Sequence, residues 1–250
     1  LREVSADLEE ALLGSFVSAM ATVLGGLPVL LIRKMSERWK DILVAFTAGI
    51  MVSASTFGLI PQAIAEADFW VMTVGLVLGV LTLDLIERNI PHIDVENKNG
   101  IRSLDNKALL VMIALFIHNI PEGLSTGFSY ASASEGLGPM VAIAIGAQNM
   151  PEGLILAVFL LNARTPKWKS LLIVTATGLM EMVSAVVGYG TASQIDGLIG
   201  PGLAFAAGAM LFIISSEVIP ETHRKGTERG ATSALFGGFV VMLFLDVTLG

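Results

Sequence analysis

Long apolar runs separated by short polar punctuation dominate this chain. Stretches built mostly of Leu, Val, Ile, Ala, Gly and Phe occupy, approximately, residues 11–33, 42–64, 69–87, 108–133, 137–161, 170–192, 201–221 and 231–249. Each is close to the roughly 20 residues that a helix needs to cross a hydrocarbon core about 30 Å thick. The pattern predicts an all-α integral membrane protein of eight transmembrane helices. The longest connection is the polar stretch from Asn89 to Lys107, so residues 1–250 read as a single transmembrane domain.

Composition agrees: 54% hydrophobic and 15% charged residues, with mean hydropathy +0.75, lie far from the soluble average. The absence of cysteine excludes disulfides, Cys-based zinc sites and a thiolate nucleophile. The start Leu1-Arg2-Glu3 has neither Met nor a basic leader, so no signal peptide is read and the numbering is expected to begin inside a longer chain. Although the net charge is -7, the placement of charge says more. All basic residues except Arg2 follow spans one, three, five and seven, whereas the even loops carry Glu66, Asp68, Glu135 and Asp196 without a base. By the positive-inside rule the odd loops are cytoplasmic and both termini lie outside, as in a multi-pass protein of the cell (inner) membrane.

Spans two and seven share a register. Ala45-Phe46-Thr47-Ala48-Gly49-Ile50-Met51, continuing to Ile60-Pro61, lies 159 residues before Ala204-Phe205-Ala206-Ala207-Gly208-Ala209-Met210, continuing to Ile219-Pro220. A weaker echo joins Leu81-Thr82-Leu83-Asp84 to Leu243-Phe244-Leu245-Asp246. Five spans separate the copies, so they cross in opposite directions, as in the inverted repeats of secondary transporters. Spans four and five form a closer pair, which gives a 3+2+3 arrangement with spans 1–3 repeated, inverted, in spans 6–8.

That central pair carries the chemistry. Span four holds His118-Asn119-Ile120-Pro121-Glu122-Gly123, and span five holds Gln148-Asn149-Met150-Pro151-Glu152-Gly153. Residues four apart share a helix face, which pairs His118 with Glu122 and Gln148 with Glu152, with Asn119 and Asn149 widening each polar face. Glu181 and Glu217 add two more carboxylates. Each ionised carboxylate at a helix centre costs about 2.5–3.5 kcal/mol, and no intramembrane Lys or Arg offsets it. Protonation would neutralise it, or a bound cation would. One imidazole with carboxylate and amide oxygens suits zinc, manganese, iron, cobalt or cadmium. Pro121 and Pro151 are expected to kink their helices and free carbonyls beside the site. Asp84 and Asp246, near helix ends, read as capping or snorkelling residues as readily as pathway residues, and Met51 and Met210 read as packing.

These motifs resemble those of the ZIP family of metal-ion transporters, in its bacterial branch, over nearly the whole chain. The resemblance implies uptake of zinc and related divalent metals (cadmium, iron, manganese) through a binuclear centre. One metal would be held by His118, Glu122, Gln148 and Glu152, and the second by Asn119, Asn149, Glu152 and Glu181, with Glu152 bridging. It also implies an external approach past Met51 and Gly58, and a cytoplasmic exit near His92, Asp94 and His223. Spans one, four, five and six would slide against the rest. The sequence departs from the pattern at Asn149, where some relatives have Asp, and at Ser216, where some have His. The second metal should therefore be held more weakly, and Glu217 has no assigned role. The rival reading is an intramembrane zinc-dependent hydrolase, against which the inverted repeat and the lone intramembrane histidine count. A proton-coupled organic-cation carrier lacks aromatic cage residues, and nothing points to a channel. No organic cofactor, enzyme activity or nucleic-acid partner is expected; a homodimer is compatible with the sequence without being required by it.

Overall fold

The computed structural model describes residues 2–31, 35–89, 104–134, 136–223 and 228–249. They form eight long helices, with no strand among the described residues. Helix α1 (Arg2–Gly26) runs into a 3-10 turn at Leu27–Leu30. It is followed by α2 (Glu37–Glu66), α3 (Phe69–Asn89), α4 (Leu104–Ala131), α5 (Leu137–Asn162), α6 (Lys167–Ala192), α7 (Ile199–Thr222) and α8 (Glu228–Leu249). Seven helices among the described residues are long and apolar enough to span a bilayer, and α4, at 28 residues, has the length of an eighth. The apolar runs thus locate every helix, extended by a few residues where polar ends continue the turn. His92 and Asp94 lie outside the described residues.

Local signals set several ends. The Ser36 hydroxyl accepts from Trp39 N at 3.4 Å to cap α2, and Asp68 Oδ1 accepts from Trp70 N and Val71 N at 2.9 and 3.2 Å to start α3. Gly136, at φ 90°, turns the chain between α4 and α5 in a conformation that only glycine adopts without strain. The expected kinks fall elsewhere. Pro121 and Pro151 sit inside continuous α-helices, whereas α2 and α7 are interrupted by π-helical turns at Ala54–Leu59 and Ile214–Val218, just ahead of Pro61 and Pro220. A proline removes one hydrogen bond from the ladder; packing by neighbours can keep the helix whole around it.

With no water to squeeze out, membrane helices gain from close packing over small residues. Helix α4 packs along α6, α1 along α5, α2 along α8 and α3 along α7. A Cβ at Gly49 would lie 1.9 Å from Leu235 O, and one at Gly238 2.0 Å from Phe46 O, so α2 and α8 touch backbone to backbone. The same happens between α7 and α3, where Gly208 and Gly79 would meet Leu76 O and Phe205 O at 2.2 and 2.1 Å. The largest core cluster gathers Met51, Met140, Ile145, Leu203 and Met210, all nearly fully buried, so Met51 and Met210 do pack.

Candidate metal centre

Helices α1, α4, α5 and α6 bring the polar motifs together at mid-bundle. Close backbone approach positions them: a Cβ at Gly123 would lie 2.2 Å from Glu181 O, and one at Gly153 2.0 Å from Thr22 O. Each glycine follows a motif glutamate, so the carboxylates of Glu122 and Glu152 are carried into the seams between helices.

Glu122 and Gln148 are both fully buried, and the Gln148 amide donates to Glu122 Oε1. Their remaining oxygens, Glu122 Oε2 and Gln148 Oε1, are buried without a hydrogen-bond partner. Two acceptors left facing no donor in the interior of a bundle are costly unless a cation meets them. His118, on the same face as Glu122, lies with Nδ1 3.8 Å from Oε2 of the half-exposed Glu217 of α7. Glu217, which the sequence left without a role, thus stands beside the one intramembrane imidazole among the described residues.

Asn149 and Glu181 form a separate knot. Asn149 Nδ2 donates to Glu181 Oε2 at 2.6 Å and lies 3.2 Å from Ser18 Oγ and 3.3 Å from Ser18 O, while Ser18 Oγ donates to Glu181 Oε1 at 2.5 Å. Both Glu181 oxygens are therefore taken by protein donors. Asn119 Nδ2 donates to Thr177 O at 2.9 Å. Glu152 is partly buried and lines a small cavity with Asn119. Among the described residues no group of three His, Asp or Glu side chains converges tightly enough to hold a metal alone, so any centre here draws on the amides as well.

Sequence reading missed Ser18 and Thr22. A lone hydroxyl in an apolar span most often bonds back to its own helix, as Thr177 Oγ1 does to Val174 O. The signal that could have found them is the 159-residue offset, which sets Ser18 opposite Thr177 and Thr22 opposite Glu181.

Outside the centre, a cavity of about 220 Å³ is lined by Phe57, Gln62, Ser134, Met140 and Asp246, among others. On α5 its lining reaches Met140, eight residues or about 12 Å of helix before Gln148. Asp84 is paired with Arg88 at 2.8 Å, one turn away on its own helix, instead of capping. His223 is held by Ile219 O at 3.0 Å and Thr232 Oγ1 at 3.1 Å.

The family model described as ZIP Zinc transporter matches residues 87–246. The chain is 37% identical to the zinc transporter GufA of Myxococcus xanthus, covering 96% of this chain and 98% of that protein. It is also 37% identical to the zinc transporter ZIPB of Bordetella bronchiseptica, over 96% of this chain and 81% of the relative, and 29% identical to a zinc transporter ZupT of Chlorobium phaeovibrioides, over 94% and 96%. A match over most of its length, coinciding with buried carboxylate and amide groups at mid-bundle, settles the point: this chain belongs to the ZIP zinc transporter family.

Proposed function

We propose that this protein carries zinc, and related divalent metals such as cadmium, iron and manganese, into the cytoplasm through a binuclear site between α4, α5 and α6. The observation that carries the reading is the pair of unpartnered buried oxygens on Glu122 and Gln148. The first ion takes these two oxygens together with His118 and Glu152. The second draws on Asn119, Asn149, Glu152 and Glu181, with Glu152 bridging, and is held more weakly because Asn149 brings no charge. The imidazole favours a transition metal over magnesium or calcium.

Alternating access within a 3+2+3 inverted repeat supplies the movement. Four pairs of contacts support it, two at a 159-residue offset throughout and two that combine that offset with a 30-residue shift. Gly49 on Leu235 is matched by Gly208 on Leu76, and Gly238 on Phe46 by Gly79 on Phe205, each 159 residues apart. Gly123 on Glu181 is matched by Gly153 on Thr22, and the Asn119 bond to Thr177 by the Asn149 bond to Ser18. In these last two, α4 and α5 exchange places with a shift of 30 residues while α6 and α1 keep the 159-residue offset. The π-helical turns fall in step as well. The closed stretch between Met140 and Gln148, with Glu217 half exposed beside His118, favours a state shut to the outside. The protein sits in the cell (inner) membrane with its odd loops cytoplasmic and its termini outside, and two copies are compatible with it. The family does not consist of enzymes, so the hydrolase alternative lapses.

The test is zinc entry into proteoliposomes containing wild type or Glu152→Ala, with bound metal quantified in the same preparations. Uptake should fall at least about 10-fold in the variant, the scale on which loss of supporting groups weakens metal sites. Unchanged uptake would sink the reading.

A further inference from the structure

Between α5 and α6 the chain turns through Ala163-Arg164-Thr165-Pro166. The end of α5 closes with Arg164 N donating to Leu161 O and Thr165 N to Leu160 O, both at 3.0 Å, and this puts Arg164 at φ 62°. Glycine usually fills that position in helices that end this way, because a Cβ is strained there. Among the described residues Arg164 is the one non-glycine at positive φ, and it is exposed. The strain holds a fixed charge at the surface of the turn.

Two lysines and a tryptophan continue the corner into α6. Lys167 Nζ donates to Leu30 O at 2.6 Å, which joins α6 to the 3-10 turn after α1 and leaves two of the three ammonium protons for another acceptor. Lys169 Nζ lies 5.5 Å from the centre of the Trp168 ring. Among the described residues no carboxylate lies within ion-pair distance of Arg164, Lys167 or Lys169. Further along, α6 presents outward a stripe of apolar side chains at helical spacing, Trp168, Leu172, Leu179 and Val183, all more than half exposed.

Three cations without counter-charges, set over an apolar stripe with a tryptophan at the boundary, match the two ends of an amphiphile. We infer that the corner of α1, α5 and α6 binds an anionic phospholipid, its phosphate held by Arg164, Lys167 and Lys169 and an acyl chain lying along Trp168 and Leu172. The guanidinium engages two phosphate oxygens at once, and the lysines add point charges. This binding is independent of the metal centre and of which side of the membrane the corner faces.

The test follows the melting temperature of the purified full chain in detergent as phosphatidylglycerol or phosphatidylcholine is added. Phosphatidylglycerol should raise it saturably, and phosphatidylcholine should not. The midpoint of the rise should move to about 5-fold higher lipid in Arg164→Gly and likewise in Lys169→Gln, the factor expected for one basic residue near an anionic headgroup. Glycine takes the positive φ without strain, so Arg164→Gly should melt level with wild type before lipid is added, and Lys169→Gln changes an exposed position without touching the turn. Arg229→Gln, at an exposed basic residue at the start of α8, should leave the midpoint where it is. Equal midpoints for wild type, Arg164→Gly and Lys169→Gln would overturn the site. So would an equal shift in Arg229→Gln, which would mean a diffuse attraction between lipid and basic surface. A rise produced equally by inorganic phosphate would mean a free-anion site and would overturn the lipid.

Discussion

At Gly153 a single hydrogen stands where any side chain would strike the Thr22 carbonyl at 2.0 Å. Backbone cannot step aside as a flexible side chain can, so Gly153→Ala must part α1 from α5. Overpacking of this kind costs about 1–3 kcal/mol. The expected outcome is a lower melting temperature in detergent, with reduced zinc content because Glu152 is the adjacent residue. Gly190→Ala is the control, since a Cβ there meets nothing within 4 Å; its melting temperature should stay level or rise. Equal melting of the two variants would contradict the close approach. The i, i+4 pairing of His118 with Glu122 was legible from helix periodicity alone. The partners of Ser18 were not, because a hydroxyl carries no periodic signature and its bond is chosen by whichever helix faces it.

The apolar runs located the eight helices because crossing a bilayer is a matter of length and hydropathy, both local properties. The π-helical turns in α2 and α7 are not local in that sense, and the prolines that drew attention, Pro121 and Pro151, belong to unbroken helices. What the shared register of α2 and α7 does predict is equivalence of their contacts. Gly49→Ala should part α2 from α8, and Gly208→Ala should part α7 from α3, because each would place a Cβ about 2 Å from a backbone oxygen. The two variants should lose stability by similar amounts, about 1–3 kcal/mol each. Thermal unfolding in one detergent checks this, and a loss confined to one of them would argue against matched halves.

Among the described residues, polar contacts also join the helix ends on the side of the even-numbered loops. Gln62 Nε2 donates to Ser132 Oγ at 3.0 Å, and Ser132 Oγ donates to Glu66 Oε1 at 2.9 Å, tying α2 to the residue after α4. If α1, α4, α5 and α6 slide against the other helices, these bonds must break when the outside opens. Ser132→Ala removes both. Interhelical hydrogen bonds in membranes average about 0.6 kcal/mol, so the outward-open population should rise by about 8-fold. The chain has no native cysteine, and Met140→Cys can therefore report the change through its labelling rate with an impermeant maleimide applied from outside. No gain in labelling would mean that these bonds do not hold the outer side shut. The same reagent on Asp196→Cys and Lys167→Cys tests orientation: the first should react from outside in intact cells, and the second only after permeabilisation.

The amino-acid sequence by itself determined where the long apolar helices lie, the distribution of charge between their ends, and the presence of two matched polar motifs in an apolar interior. Hydropathy, charge asymmetry and helical periodicity act over one segment at a time and survive without knowledge of neighbours. Tertiary structure alone decided that Gln148 bonds Glu122, that His118 stands beside Glu217, that Ser18 and Asn149 occupy Glu181, and that Thr22 and Glu152 line one small cavity. Those outcomes depend on how far each helix is rotated about its axis and how closely glycine lets two backbones approach. Both are properties of helix pairs, and a single segment does not contain them.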